Sequence, residues 1–299
     1  MKYHVLHETE YRYESPVVLS QQLLHLTPRV LEFQALGEHR VSILPAPGET
    51  SSRHDYFGNP VTQIMLAVPH ETLAVRAEST ITVAPRSYPG AVGGWEAQRE
   101  RLRTGGDSAL LEALQFLYES PHVECFRDLA AYAAPSYAPG RDALDAARDL
   151  TRRIHAEFVF DPKATSLSTP LREVLARRRG VCQDFAHFMI GCLRTLGLPA
   201  RYVSGYILTA PPPGKARLVG ADASHAWVSV WCGAEGKNAG WVDLDPTNDV
   251  VVGDEHITLA WGRDFSDVTP MRGVILGGGE QELEVRVTVT PQQDPGKGA

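Results

Sequence analysis

The hydrophobic period changes along this chain, and the change fixes the order of its structural classes. Tyr3, Val5, Thr9, Tyr11 and Tyr13 fall on odd positions, with Lys2, His4, Glu8, Glu10 and Arg12 between them. Such a period of two places one face of a strand in a core and the other in water. It returns at Leu73, Val75, Ala77, Ile81 and Val83, with shorter signals at Val41–Ile43 and over 61–68, and turn residues across 55–60. Residues 1–85 therefore read as a small all-β domain. Pro85 through Gly94 is rich in proline and glycine, and 86–100 reads as a linker.

Helical spacing follows. Leu110, Leu111, Leu114, Leu117 and Tyr118 form one stripe; Leu144, Ala147, Leu150, Ile154 and Phe158 form another. Thr169-Pro170 reads as an N-cap followed by proline at the first helical position, opening a helix that ends at Arg177-Arg178-Arg179-Gly180. A further helix starts at Cys182, buries Phe185, Met189, Cys192 and Leu196, and stops at Gly197-Leu198-Pro199. Strands are expected again over 200–208, 223–231 and 240–244, and Leu283, Val285, Val287 and Val289 alternate as one more. The catalytic region is thus expected over 101–290, with a disordered tail over 291–299. Periodicity does not say which sheet the last strand joins. The fold class is α+β.

Composition narrows the function. A net charge of −7 with no basic face argues against nucleic acid. No apolar run approaches a membrane span, and the first residues lack a signal-peptide core. The four cysteines, Cys125, Cys182, Cys192 and Cys232, form no C-x-x-C pair and read as free thiols of a cytoplasmic protein.

Chemistry concentrates in three segments. In Gly180-Val181-Cys182-Gln183-Asp184, the cysteine stands over the positive end of a helix, which favours thiolate over thiol. In Asp222-Ala223-Ser224-His225-Ala226-Trp227, alternation puts His225, Trp227, Ser229 and Trp231 on one strand face. In Trp241-Val242-Asp243-Leu244-Asp245-Pro246, both aspartates share a face, and Asp245 lies at the strand end where sheet active sites gather. Nucleophile, base and orienter is the reading of Cys182, His225 and Asp245, with Asp243 as the alternative orienter. Singly, each has a bland explanation: a buried small hydrophobe, a core histidine, a turn aspartate capping Thr247 or Asn248. Their order in the chain favours catalysis. Gln183, Asp184, Asp243 and Trp227 are the supporting candidates, with Asp184 expected to pair with one of Arg177, Arg178 and Arg179 or to serve the helix dipole. His187 lies about 140° around the helix from Cys182 and is not the base. Pro211-Pro212-Pro213-Gly214 is a stiff connection between the catalytic strands.

These motifs, with Ala200-Arg201-Tyr202-Val203-Ser204-Gly205-Tyr206, Gly262-Arg263-Asp264-Phe265 and the opening β pattern, resemble the bacterial transglutaminase-like family of the papain-like superfamily. The resemblance covers residue 1 to about 290. It implies an N-terminal β domain before a core in which the nucleophile helix packs on an antiparallel sheet. It also implies a thiolate attacking the amide of a protein or peptide substrate to give a thioester, resolved by water or by an amine, without cofactor or metal. Animal transglutaminases usually carry tryptophan after the cysteine, where this chain has Gln183, and no Asp-x-Asp-x-Asp-Gly calcium loop is present. Hydrolysis is therefore expected ahead of transamidation. The backbone N–H of Cys182 is one oxyanion donor; a second is not assigned. The rivals are a metal site using His225, Asp222, Asp243 and Asp245, for which ligand spacing gives no support, and a non-catalytic binding module of the same fold.

Overall fold

A computed structural model describes residues 1–88, 92–106, 108–166, 168–209, 224–233 and 240–292. The opening alternation belongs to one long strand, Lys2–Leu24, which buries Tyr3, Val5, His7 and Thr9 in turn. It is the central strand of a seven-stranded sheet. Residues Lys2 to Arg12 pair antiparallel with His70–Val83 on one side and, through Tyr13, with Gln281–Gln292 on the other. Beyond a register break, Ser20–Leu24 pair with Pro60–Leu66 and with Met271–Gly277. The last strand of the chain therefore completes the first sheet. Its alternation matches either sheet, so only the partner decides.

Three boundaries differ from the sequence reading. The region expected as the catalytic core, 101–290, gives up its last two strands, Met271–Gly277 and Gln281–Gln292, to the first sheet, because both pair with Lys2–Leu24. The stretch expected as a linker, 86–100, contains the start of a helix, Trp95–Thr104, which buries Trp95, Gln98 and Leu102. Arg86 within it is buried against the core, because its guanidinium stacks 3.8 Å above the Phe33 ring and its Nη1 donates to Asp243 at 2.5 Å. The expected tail begins later than 291, since Pro291 and Gln292 still pair with Tyr3 and Lys2; residues 293–299 lie outside the described residues. Pro170 occupies the N-cap of the Leu171–Arg177 helix, one position before the first helical residue.

The second sheet has five antiparallel strands in the order Val250–Val251, Trp241–Asp245, Ser224–Trp231, Ala200–Ile207, His256–Gly262. Helix Cys182–Thr195 packs on it. Phe185, Phe188, Met189 and Leu193 share one core with Ala226, Val228, Val230, Val242 and Leu244, which are the alternate residues of the adjoining strands. Helix Ala143–Glu157 joins this core through Leu144, Ala147, Leu150 and Ile154, and the Asp142 side chain caps it on the N–H groups of Leu144 and Asp145. Tyr3, Val5, Ile81, Val83, Val287 and Val289 of the first sheet belong to the same core.

The free edge of strand His256–Gly262 is closed by side chains. Gln34 Nε2 donates to Thr258 O at 2.7 Å, and Gln34 Oε1 accepts from Thr258 N at 2.8 Å. Asn59 repeats this on Trp261, donating to its carbonyl at 2.8 Å and accepting from its N–H at 2.9 Å. Each primary amide reproduces the donor–acceptor pair of a neighbouring strand. Gln34→Ala strands the Thr258 N–H and leaves its carbonyl only the Arg29 N–H at 3.3 Å, and it is expected to lower stability by about 1–3 kcal/mol in urea unfolding; no measurable loss would show that water replaces the amide without penalty.

Candidate active site

Cys182 is the first residue of its helix and is half-buried, with Val181 at the N-cap. Valine has no acceptor to cap with, and Asp184 supplies the other half of the motif. Its Oδ2 accepts from Val181 N at 2.8 Å and from Thr165 Oγ1 at 2.6 Å. A Cβ at residue 180 would lie 2.5 Å from that oxygen, which is why glycine precedes the motif. Burial raises the Asp184 carboxyl above its ordinary value, against the lowering effect of these two donors. The expected pairing of Asp184 with the arginine run does not occur. Arg177 pairs with Glu173, Arg178 with Glu157 and Arg179 with Asp161, because the carboxylate points inward to the loop it caps. Gln183 is half-buried beside Cys182.

His225 opens strand Ser224–Trp231 and is 8% exposed. Its Nε2 lies 2.7 Å from Asp245 Oδ2, and the Cys182 side chain is the other group that raises the pKa of the same imidazole. With Nε2 committed to the carboxylate, Nδ1 is the nitrogen left for sulfur. Burial pulls the His225 pKa down, yet the hydrogen bonds and charges of Asp245 and Cys182 outweigh it and raise the pKa to about 10. Asp245 is 0% exposed. Burial favours its neutral form, but donors from His225, His256 and Asn248 hold the carboxyl well below its usual range. Oδ1 accepts from the N–H groups of Thr247 at 2.9 Å and Asn248 at 3.2 Å, and Asn248 Nδ2 reaches Oδ2 at 2.7 Å. Asp245 thus caps its own turn through Oδ1 and meets the His225 ring, with the Asn248 amide, through Oδ2.

Asp243 does not reach His225. Its Oδ2 accepts from Arg86 Nη1 and, at 3.3 Å, from Trp227 Nε1. It lines a cavity of about 310 Å³ on the second sheet, together with Phe33, Arg201, Trp241 and Trp261. Trp227 is fully buried and lies beside the His225 ring, centroids 6.2 Å apart. Gly205, opposite His225 in the register, leaves it room, since a Cβ there would meet Trp227 Cη2 at 2.5 Å. His187 is far from acting as a base: it stacks on His122, accepts from Phe265 N at 3.1 Å, and burial lowers its pKa. Gly262-Arg263-Asp264-Phe265 acts as a brace, with Asp264 capping Ser266 and His122, and Arg263 O accepting from buried Arg194. Asp222 and 211–214 lie outside the described residues.

His256 was not anticipated. Its Nε2 lies 3.2 Å from Asp245 Oδ2, and it is 3% exposed. The available signal was a lone histidine heading an apolar run, His-Ile-Thr-Leu-Ala-Trp. Ligand atoms of His225, Asp245 and His256 lie within 4.8 Å of one another, and they make the one described cluster with metal-binding chemistry. A metal there would replace both N–H···O bonds and free the His225 ring from its carboxylate.

Comparisons with known proteins show the family and the fold. Residues 3–82 match the bacterial transglutaminase-like N-terminal region, and 130–246 match the transglutaminase-like superfamily. The chain belongs to the bacterial transglutaminase-like family. An uncharacterized protein of Mycobacterium tuberculosis is 41% identical over 297 residues, 97% of this chain and 93% of that one. Another, of Mycobacterium leprae, is 33% identical over 96% of this chain and 97% of its own length. A protein-glutamine gamma-glutamyltransferase of Pseudomonas aeruginosa is 35% identical over 104 residues, 34% of this chain and 15% of that protein. Among solved structures, a candidate cysteine protease from Cytophaga hutchinsonii superposes with a TM-score of 0.74 at 19% identity, covering 98% of this chain and 92% of that one. The shared fold is that of a transglutaminase-like core behind a curled β domain.

The pair His225–Asp245 makes stability depend on pH in a defined direction. His225 is raised from 6.5 to about 10, so its contribution is complete below about pH 6.5 and is lost as pH rises through about 10. Asp245 is held below 3.8, so its contribution is present above that value and is lost in stronger acid. The urea midpoint of the wild type should exceed that of Asp245→Asn most at about pH 5–6, with the gap closing toward pH 10. A gap that widens with alkali contradicts the pairing.

Proposed function

We propose that the protein is a cysteine amide hydrolase in which Cys182, His225 and Asp245 form the catalytic triad. The observation that carries this is the His225 imidazole, held between the thiol of Cys182 and a buried carboxylate. A histidine raised to about 10 is an imidazolium at neutral pH, with both ring nitrogens protonated and none free to accept another proton. Its first duty is then to donate. The sulfur attacks as thiolate on the carbonyl of a peptide or protein amide, with the Cys182 N–H facing the developing oxyanion. As the C–N bond breaks, His225 gives its proton to the departing amine, leaving a thioester on Cys182. The now neutral imidazole takes a proton from water, which attacks the thioester; the acid leaves, and the thiolate and imidazolium are restored. Asp245 holds the ring throughout and stabilises its charge.

A second reading is transamidation, in which an amine replaces water at the thioester. The 104-residue match to a protein-glutamine gamma-glutamyltransferase favours it. Against it stand Gln183 after the nucleophile and the lack of an Asp-x-Asp-x-Asp-Gly segment. Hydrolysis is the reading we adopt. The four cysteines are unpaired, which suits a cytoplasmic enzyme.

Iodoacetamide labelling of Cys182, followed by mass spectrometry at pH 7, tests the pair without a known substrate. His225→Ala should slow it by about tenfold or more; equal rates would leave a non-catalytic module. In a peptide-amide screen with and without added amine, Cys182→Ala should lose at least about 10⁴-fold in kcat and Asp245→Asn about 10²–10⁴-fold, with circular dichroism unchanged. Amine-dependent product with little free acid would move the assignment to transamidation.

A further inference from the structure

The carboxylate of Asp245 serves two histidines. We propose that the second, His256, is a positioning residue that fixes the Asp245 carboxylate toward His225 by donating from Nε2 to the same oxygen. This rests on the triad reading above.

Four groups besides His225 hold Asp245, and three of them are local. The N–H groups of Thr247 and Asn248 and the Asn248 side chain belong to the turn that Asp245 itself begins. They move with it. His256 comes from another strand, His256–Gly262, with Ala200–Ile207 and Ser224–Trp231 between it and the aspartate strand in the sheet order. Its bond to Oδ2 at 3.2 Å therefore ties the turn to a separate part of the sheet. Without it, nothing outside the turn among the described residues except His225 limits rotation of the carboxylate, and orientation of the catalytic imidazole would depend on the residue being oriented.

The ring of His256 is itself held. It packs edge-on against Trp227 at 5.2 Å, and Trp227 is fixed through Nε1 to Asp243, which Arg86 grips in turn. Two residues along the strand, Thr258 is clamped by both atoms of the Gln34 amide. A carboxylate acceptor requires hydrogen on Nε2, which leaves His256 Nδ1 to find a partner of its own. That atom is buried and has no partner among the described residues. An unpartnered buried nitrogen is a cost to folding. An apolar residue of similar size would avoid that cost but would also take a donor from the buried Asp245 carboxylate, and that donor is what the histidine supplies.

The charged and titratable groups facing His225 are Cys182 from the helix, Asp245 from the neighbouring strand and His256 from the edge strand. The test compares His256→Gln, which retains a donor, with His256→Leu and His256→Phe, which retain bulk but lose it. Two readouts are followed: the pH at which His225 loses its proton, from histidine ¹⁵N NMR with the signal assigned by its loss in His225→Ala, and the labelling rate of Cys182 by iodoacetamide across pH 5–10. The apolar variants should lower the His225 titration by about one pH unit and slow labelling at pH 7 several-fold. Glutamine should restore both to within about twofold of wild type. Only one of the two apolar variants needs to fold for the comparison to stand. Wild-type titration and labelling in the apolar variants would overturn the proposal, and so would an equal loss in all three, since that marks shape instead of donation. If His225→Ala leaves labelling unchanged, the triad itself fails and this inference falls with it. If labelling depends on His225 but not on His256, the triad stands and the inference alone is lost.

Discussion

A carboxylate with no exposed surface is the constraint around which this molecule is arranged. Moving an ion out of water costs several kcal/mol even after the protein relaxes, and only donors and opposite charge offset that cost. Asp245 meets the demand with five N–H groups from four residues. Two come from the backbone of the turn, one from its asparagine, and two from imidazoles on different strands. That demand explains the sequence Asp-Pro-Thr-Asn, where the turn geometry delivers amides to one oxygen. It also explains why His225 is held so firmly as a cation: the buried negative charge needs a positive one beside it, and the thiol of Cys182 meets the ring from the helix end. The helix, three strands and one turn must all be in register before the carboxylate is tolerated.

The alternations that define the first strand, the strands of His225 and Asp245 and the helix of Cys182 are legible because each buries a regular stripe. Pairing is not. The Leu283–Val289 alternation fits any half-buried edge, and its place beside Lys2–Tyr13 depends on a partner some 270 residues away, which local pattern does not encode. Arg86 shows the same limit from another side. Proline and glycine around it suggest an exposed crossing, yet the unfilled carboxylate of Asp243 and the face of Phe33 draw the guanidinium inward.

At the site, Cys182, His225 and Asp245 were readable from their positions at element ends, and Asp245 is separated from Asp243 only by three-dimensional contacts. Both aspartates share a strand face; what distinguishes them is that Arg86 and Trp227 claim one and the histidines claim the other. Asp184 was legible as a helix-start acid, but its partner Thr165 lies in a loop without periodic signal. His256 had no motif to mark it, and the superfamily match ends at residue 246, ten residues before it.

The amides of Gln34 and Asn59 carry a consequence for how such a chain can evolve. Each lends the catalytic sheet one rung of an absent neighbour, so the β domain is woven into the sheet that contains His256. A recombination event that copied only the stretch 130–246 would transfer Cys182, His225 and Asp245, while leaving behind His256 and the rungs that shield its strand. The two regions are thus bound to be inherited together, as a single unit of descent, and any lineage that sheds the first must find another way to seal the edge of the second.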